Sequence, residues 1–139
     1  HFGKAENILA PGKAINMGDG WETRRKRTKG YDWLILKFGF PGIISKIVID
    51  TSHFKGNYPD HCNLQAAFIS NKKFMSNRKI IKQSSKWRYL TKNQKLFPNK
   101  KNLVDSNILS NQKINYIKFN IFPDGGISRL NIFAKIPKN

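Results

Sequence analysis

Two stretches near the C-terminus alternate apolar and polar side chains with a period of two. Residues 114–122 set Ile117, Phe119 and Ile121 against Lys118 and Asn120, and residues 127–136 set Leu130, Ile132, Ala134 and Ile136 against Arg129, Asn131 and Lys135. Successive side chains of a strand point to opposite faces, so this pattern predicts two strands, each with one buried and one wet face. Between them Pro123-Asp124-Gly125-Gly126 is a tight turn whose glycines can take positive φ, which makes the pair a hairpin. Upstream, residues 31–38 form a short apolar run stopped by Gly39-Phe40-Pro41-Gly42. Residues 43–50 are β-branched and apolar on both faces, as suits a central buried strand. Residues 62–70 are a weaker strand candidate, and residues 87–90 a short edge piece. Trp33 and Trp87 are expected in the core. The region 71–112 is polar and lysine-rich, with weak strands and long connectors, and no long stretch has helical periodicity. These elements predict an all-β protein, an antiparallel sandwich or jelly roll.

Length and composition narrow the picture. A chain of 139 residues with 39% hydrophobic and 12% aromatic residues is expected to fold as one domain, residues 1–139. The net charge of +18 would suit nucleic acid or an anionic membrane surface. Its placement argues otherwise: the excess is lysine, accompanied by asparagine and isoleucine as in AT-rich coding sequence, and strewn over polar connectors. Neither nucleic acid nor membrane is therefore expected as a partner, and no apolar run approaches the roughly 20 residues a bilayer span needs. The acids are more telling. There are only eight, and Asp19, Glu22, Asp32, Asp50 and Asp124 sit in or beside glycine- or arginine-rich turns. Cys62 is the single cysteine, which excludes an intrachain disulfide and points to the cytoplasm. Three histidines make a thin ligand set, so neither a metal nor another cofactor is expected. No signal peptide is visible, and a start at His1 fits a piece of something longer.

Three constellations could carry chemistry. In Gly18-Asp19-Gly20-Trp21-Glu22-Thr23-Arg24-Arg25-Lys26-Arg27, two glycines free the backbone beside Asp19, Trp21 offers a flat wall, and the arginines bring planar forks suited to carboxylates. In extended chain Glu22 and Arg24 share a face and could converge on one ligand; a solvated basic loop is the plainer alternative. Next, residues 50–59 leave a buried strand with His53, a side chain that can trade a proton near neutral pH, and with Asn57, which can donate and accept. A histidine that only caps loop backbone would look the same. Last, Asp124 and Arg129 lie on the final hairpin. An Asp in such a turn usually bonds its own backbone, and Arg129 could pair with Glu22 or Asp32, or reach a ligand.

Taken together these segments resemble one repeat of the allantoicase family. The matching pieces are Asn16-Met17-Gly18-Asp19-Gly20-Trp21-Glu22-Thr23-Arg24-Arg25-Lys26-Arg27, Asp32-Trp33, Asp50-Thr51, His53-Phe54-Lys55-Gly56-Asn57, Ile121-Phe122-Pro123-Asp124-Gly125-Gly126 and Arg129-Leu130, in family order over nearly the whole chain. Lys26 and Tyr31 stand where the family commonly has arginine and histidine. The resemblance implies a galactose-binding-like (discoidin-type) jelly-roll β-sandwich and hydrolysis of allantoate to ureidoglycolate and urea in purine breakdown. Family members usually carry two repeats; this one is more similar to the second, so its implied partner is another repeat or another copy of itself. The residue types suit that chemistry. Glu22 and His53 are the expected acid/base groups; Arg24 and Arg25 would anchor the substrate carboxylate, with Asp19, Trp21, Asn57, Asp124 and Arg129 as further binding residues. The alternative is a non-catalytic jelly-roll module that binds a sugar-like small ligand, since fold alone does not decide function.

Overall fold

The C-terminal alternation does form strands: β6 spans Ile114–Phe122, and after a turn the chain continues as β7 (Gly126–Ile127) and β8 (Arg129–Lys135). The computed structural model describes residues 4–24, 30–70, 72 and 74–137. The remaining strands are β1 (Trp21–Glu22), β2 (Asp32–Asp50), β3 (His61–Ala67), β4 (Arg88–Lys95) and β5 (Lys101–Val104), with one helix, α1 (Asn77–Ser84). All pairings are antiparallel. One layer runs β4-β3-β6-β2, and β2 carries β5 and β8 further along, so a single long strand belongs to both layers of a sandwich. Between the layers lie Ile47, Ile49, Leu64, Ile117, Phe119, Ile121 and Leu130, all buried.

Several expectations are corrected here. The last two strands do not form a hairpin: β6 lies between β3 and β2, whereas β8 pairs with β2. The two upstream strands are one. Residues 39–42 do not end it; they mark a register shift between Lys37 and Gly42, where the strand leaves its pairing with β6 and passes to β8. A long strand with such an irregularity can bend between layers, and the Gly-Phe-Pro-Gly signal reads as the bend rather than a stop.

The polar face of β6 is not wet. Tyr116, Lys118 and Asn120 on that face are all buried. Amides make that tolerable, because buried polar groups are retained where they find hydrogen-bond partners. Asn120 Nδ2 donates to Asn63 Oδ1 at 2.8 Å and to Gln65 Oε1 at 3.0 Å, and Asn63 Nδ2 donates to Asn93 Oδ1 at 2.9 Å. Gln65 Nε2 reaches the Trp87 carbonyl at 3.0 Å. These side chains tie β3, β4 and β6 together across the outer face. Lys118 lies over the rings of Trp33 and Tyr31, 4.8 and 5.9 Å from their centroids, and burial pushes its ammonium pKa down.

The lysine-rich middle is ordered as well. Helix α1 starts at Ser76, whose Oγ accepts the Lys79 N–H at 3.2 Å, and it packs Ile80 against Trp87 and Tyr116. Trp87 is core as expected, whereas Trp33 is exposed at the rim of the outer face.

Candidate active site

Strand β1 is two residues long, and its pairing with β7 places Trp21 opposite Ile127 and Glu22 opposite Gly126. Trp21 is buried against Phe119, 6.2 Å between ring centroids. It therefore anchors the segment, and alternation turns Glu22 away from the core. Thr23 closes the ribbon: its N–H donates to the Gly125 carbonyl at 3.1 Å, and its Oγ1 accepts the Gly125 N–H at 3.1 Å. The loop after β2 is held to the same ribbon, because the Gly126 N–H donates to the Asn57 carbonyl at 2.7 Å. Asn57 Nδ2 in turn donates to Glu22 Oε2.

Two glycines make this approach possible. Gly125 has φ +130°, and a Cβ there would lie 2.7 Å from the backbone of Tyr58 and Pro59. At Gly126 a Cβ would fall 1.9 Å from the Phe54 ring.

The result is a cleft of about 620 Å³ whose lining includes Glu22, Thr23, Asn57, Tyr58, Asp60, Lys95 and Asp124. Three of the chain's eight acidic residues meet in it. Asp60 accepts from Lys95 Nζ at 2.5 Å and faces His61 Nδ1 at 2.8 Å. The Lys95 hydrogen bond, then that of His61, holds the Asp60 carboxyl below the usual carboxylate range, and the same contact raises Lys95. Among the described residues the lining offers several anionic acceptors and one ammonium, so it suits a ligand rich in N–H groups.

The structure thus brings Glu22, Asn57 and Asp124 together, and it uses other expected residues elsewhere. Arg129 is buried and committed. Its Nη2 donates to Asp19 Oδ2 at 2.9 Å, its Nε to the Gly12 carbonyl at 3.0 Å and its Nη1 to the Ser128 carbonyl at 2.8 Å as well as to the Asp19 carbonyl. Asp19 also accepts the Ile15 N–H at 3.1 Å, and that bond, followed by the Arg129 hydrogen bond, lowers its pKa. His53 is exposed with φ +75°; its Nε2 donates to the Ala14 carbonyl at 2.7 Å and its N–H to Asn99 Oδ1 at 2.9 Å. Asp19, Arg129 and His53 hold the N-terminal segment against the sandwich, and none of them lines the cleft. Trp21 is a core residue, Arg24 is exposed and does not line the cleft, and Arg25 lies outside the described residues. Asp60, Tyr58 and Lys95 are the lining residues that the sequence did not single out. Nothing marks a lysine as special in a chain so full of them, and an Asp-His pair at a strand start carries no motif.

Other features carry less chemistry. A second depression, of about 650 Å³, lies over the outer face; among the described residues it is lined mainly by apolar groups such as Ile35, Ile69 and Phe74, with Lys37 as the one charged residue. Among the described residues no three His, Cys, Asp or Glu converge as a metal cage, and no helix is long and apolar enough to cross a membrane.

Comparison with known proteins agrees with the all-β fold. A protein of Pseudomonas fluorescens named a probable allantoicase is 49% identical over 138 residues, covering 99% of this chain and 41% of the relative. The chain therefore spans about two fifths of the length of that relative. A solved structure of allantoicase superposes with a TM-score of 0.79 at 30% identity, covering 97% of this chain and 38% of that one. An F5/8 type C domain from Bacteroides fragilis shares the fold alone, with a TM-score of 0.63 at 12% identity over 96% of this chain and 82% of that domain. The architecture is thus the galactose-binding-like jelly-roll sandwich. The allantoicase repeat pattern matches residues 1–137, and the chain belongs to the allantoicase repeat family.

Proposed function

We propose that this repeat contributes the Glu22–Asn57–Asp124 cleft to an allantoicase, which hydrolyses allantoate to ureidoglycolate and urea. The observation that carries the reading is the gathering of three carboxylates and an amide in one cleft of an otherwise strongly basic chain. Allantoate bears two ureido arms and a carboxylate on one carbon, and carboxylate side chains accept ureido N–H groups well. Cleavage breaks the bond from that carbon to a ureido nitrogen and forms a bond from the carbon to water oxygen. In the proposed step Glu22 takes a proton from the attacking water and returns one to the nitrogen of departing urea, so that a single carboxylate serves both halves. The Asn57 amide fixes Glu22 Oε2 and leaves Oε1 for that work. His53 remains in this reading as part of the loop that carries Asn57, with its Nε2 proton given to Ala14.

The length of the relatives supports a second repeat, or a second copy, as partner. The single buried free thiol of Cys62 supports a cytoplasmic setting. Urea release from allantoate, measured for the chain alone and for the longest polypeptide that carries it, tests the reading. Urea is expected from at least the longer form, and Glu22→Gln is expected to lower kcat by about 10²-fold or more. Ligand binding without any urea would instead mark a non-catalytic binding module. Full turnover in Glu22→Gln would remove Glu22 from the proton transfer.

A further inference from the structure

We propose that Lys95 is the carboxylate anchor of this cleft, so that the site recognises a small ureido or amide carboxylic acid by its two unlike ends. The inference rests on the allantoicase reading above and adds a residue that the sequence pattern did not indicate.

An anionic ligand entering a cleft lined by Glu22, Asp60 and Asp124 meets like charge, and something must offset it. The described arginines of the family-like segments, Arg24 and Arg129, do not supply that charge. Arg129 spends its Nε and both Nη atoms on Asp19, Gly12 and Ser128 while buried, and Arg24 does not line the cleft. Among the described residues Lys95 is the cation that does line it.

Lys95 is also held for the task. It ends β4 and pairs across to His61 at the start of β3. Its Nζ is 2.5 Å from Asp60 Oδ1, and the other Asp60 oxygen faces His61, whose ring stacks on Phe122 at 4.7 Å and 7°. The Asp60 backbone is pinned as well, with its N–H on the Phe122 carbonyl at 2.8 Å and its carbonyl on the Leu96 N–H at 3.1 Å. A flexible lysine is thereby fixed before a ligand arrives, which spares the cost of ordering it on binding. An ammonium has three donors, and Asp60 takes one, leaving two for a carboxylate. Glu22 and Asp124 supply acceptors for N–H groups. A ligand with only one of the two ends, such as free urea or a simple carboxylate, fills half of this pattern.

The test compares Lys95→Met and Lys95→Arg with the unaltered protein in the longest polypeptide that carries the repeat, by allantoate turnover and by calorimetric binding of allantoate. Lys95 is half exposed, so both variants are expected to fold. Lys95→Gln, which keeps a donor toward Asp60, replaces the methionine variant if that one does not. The expected result is a rise in KM of about 10- to 100-fold in Lys95→Met, the range of one lost charge-assisted hydrogen bond, with kcat within about 3-fold. Lys95→Arg should recover most of the affinity, a rescue that a purely structural role would not show. An unchanged KM and affinity in Lys95→Met, with the unaltered protein active, overturns the role of Lys95 and leaves the allantoicase reading standing. Neither binding nor urea release from the unaltered protein overturns both.

Discussion

The ion pair between Arg129 and Asp19 shows how a residue that looks made for a ligand becomes a clamp. Both belong to the segments that resemble the family pattern, and both have the charge a substrate site would use. The guanidinium is instead spent on one carboxylate oxygen and three backbone carbonyls, which leaves it no fork to offer. Because the Ile15 N–H and then Arg129 lower the Asp19 pKa in the folded state, its carboxylate favours folding at pH values above the ordinary 3.8. That contribution is lost as pH falls through the depressed folded-state value. Asp19→Asn is therefore expected to be less stable at pH 7 and to show a flatter loss of stability below pH 4 than the unaltered chain, as read from urea unfolding midpoints across that range. Equal midpoints at neutral pH would show that the pair contributes nothing.

Among the elements, β7 carries more than its two residues suggest. It pairs with β1, gives Gly126 to the Asn57 carbonyl and lies flat on Phe54, so a side chain at Gly126 has nowhere to go. Gly126→Ala is expected to lower stability by about 1–3 kcal/mol or more, the usual range for overpacking. It should also loosen Glu22 from Asn57; an unchanged thermal midpoint would contradict the close fit. How far such elements could be read beforehand differs for physical reasons. Strands β6 and β8 are legible because alternation is a local signal, but their pairing is not: β6 lies between β3 and β2, and β8 pairs with β2 instead of β6. Burial of the polar face of β6 is not legible either, since the amides that make Asn120 tolerable come from β3 and β4, distant in sequence. Helix α1 has little signature in the sequence, because eight residues give barely two turns of periodicity and Ser76 as cap is a weak mark among many serines. The bend in β2 looks like a stop in the sequence, because Gly-Pro signals describe a local conformation and cannot say that pairing resumes with a new partner.

At the level of the whole molecule, the candidate site was half legible. Glu22, Asn57 and Asp124 stand out by residue type beside glycines, and the fold collects them. Asp60 and Lys95 reach the same cleft only through the pairing of β3 with β4, which no spacing in the chain announces. Cys62 offers a probe of how firmly the whole assembly holds. It sits on β3, between β4 and β6, with no exposed surface, and burial pushes its thiol up to about 12. Alkylation at pH 8 is expected to be negligible in the native state and to rise with urea in step with loss of circular dichroism. Labelling well before that transition would reveal a local opening of β3 from its neighbours.

The hydrogen bonds from Thr23 to Gly125 join positions 102 residues apart, and they close one wall of the cleft. During synthesis the polypeptide leaves the ribosome from its N-terminal end. The Gly-Asp-Gly-Trp-Glu segment therefore emerges early and waits, without a strand partner, until almost all of the repeat has been translated. A chain truncated anywhere before Gly126 lacks the complement of Trp21 and Glu22. Fragments that end between Lys95 and Pro123 would accordingly carry the most recognisable stretch of the family without the wall that closes its cleft.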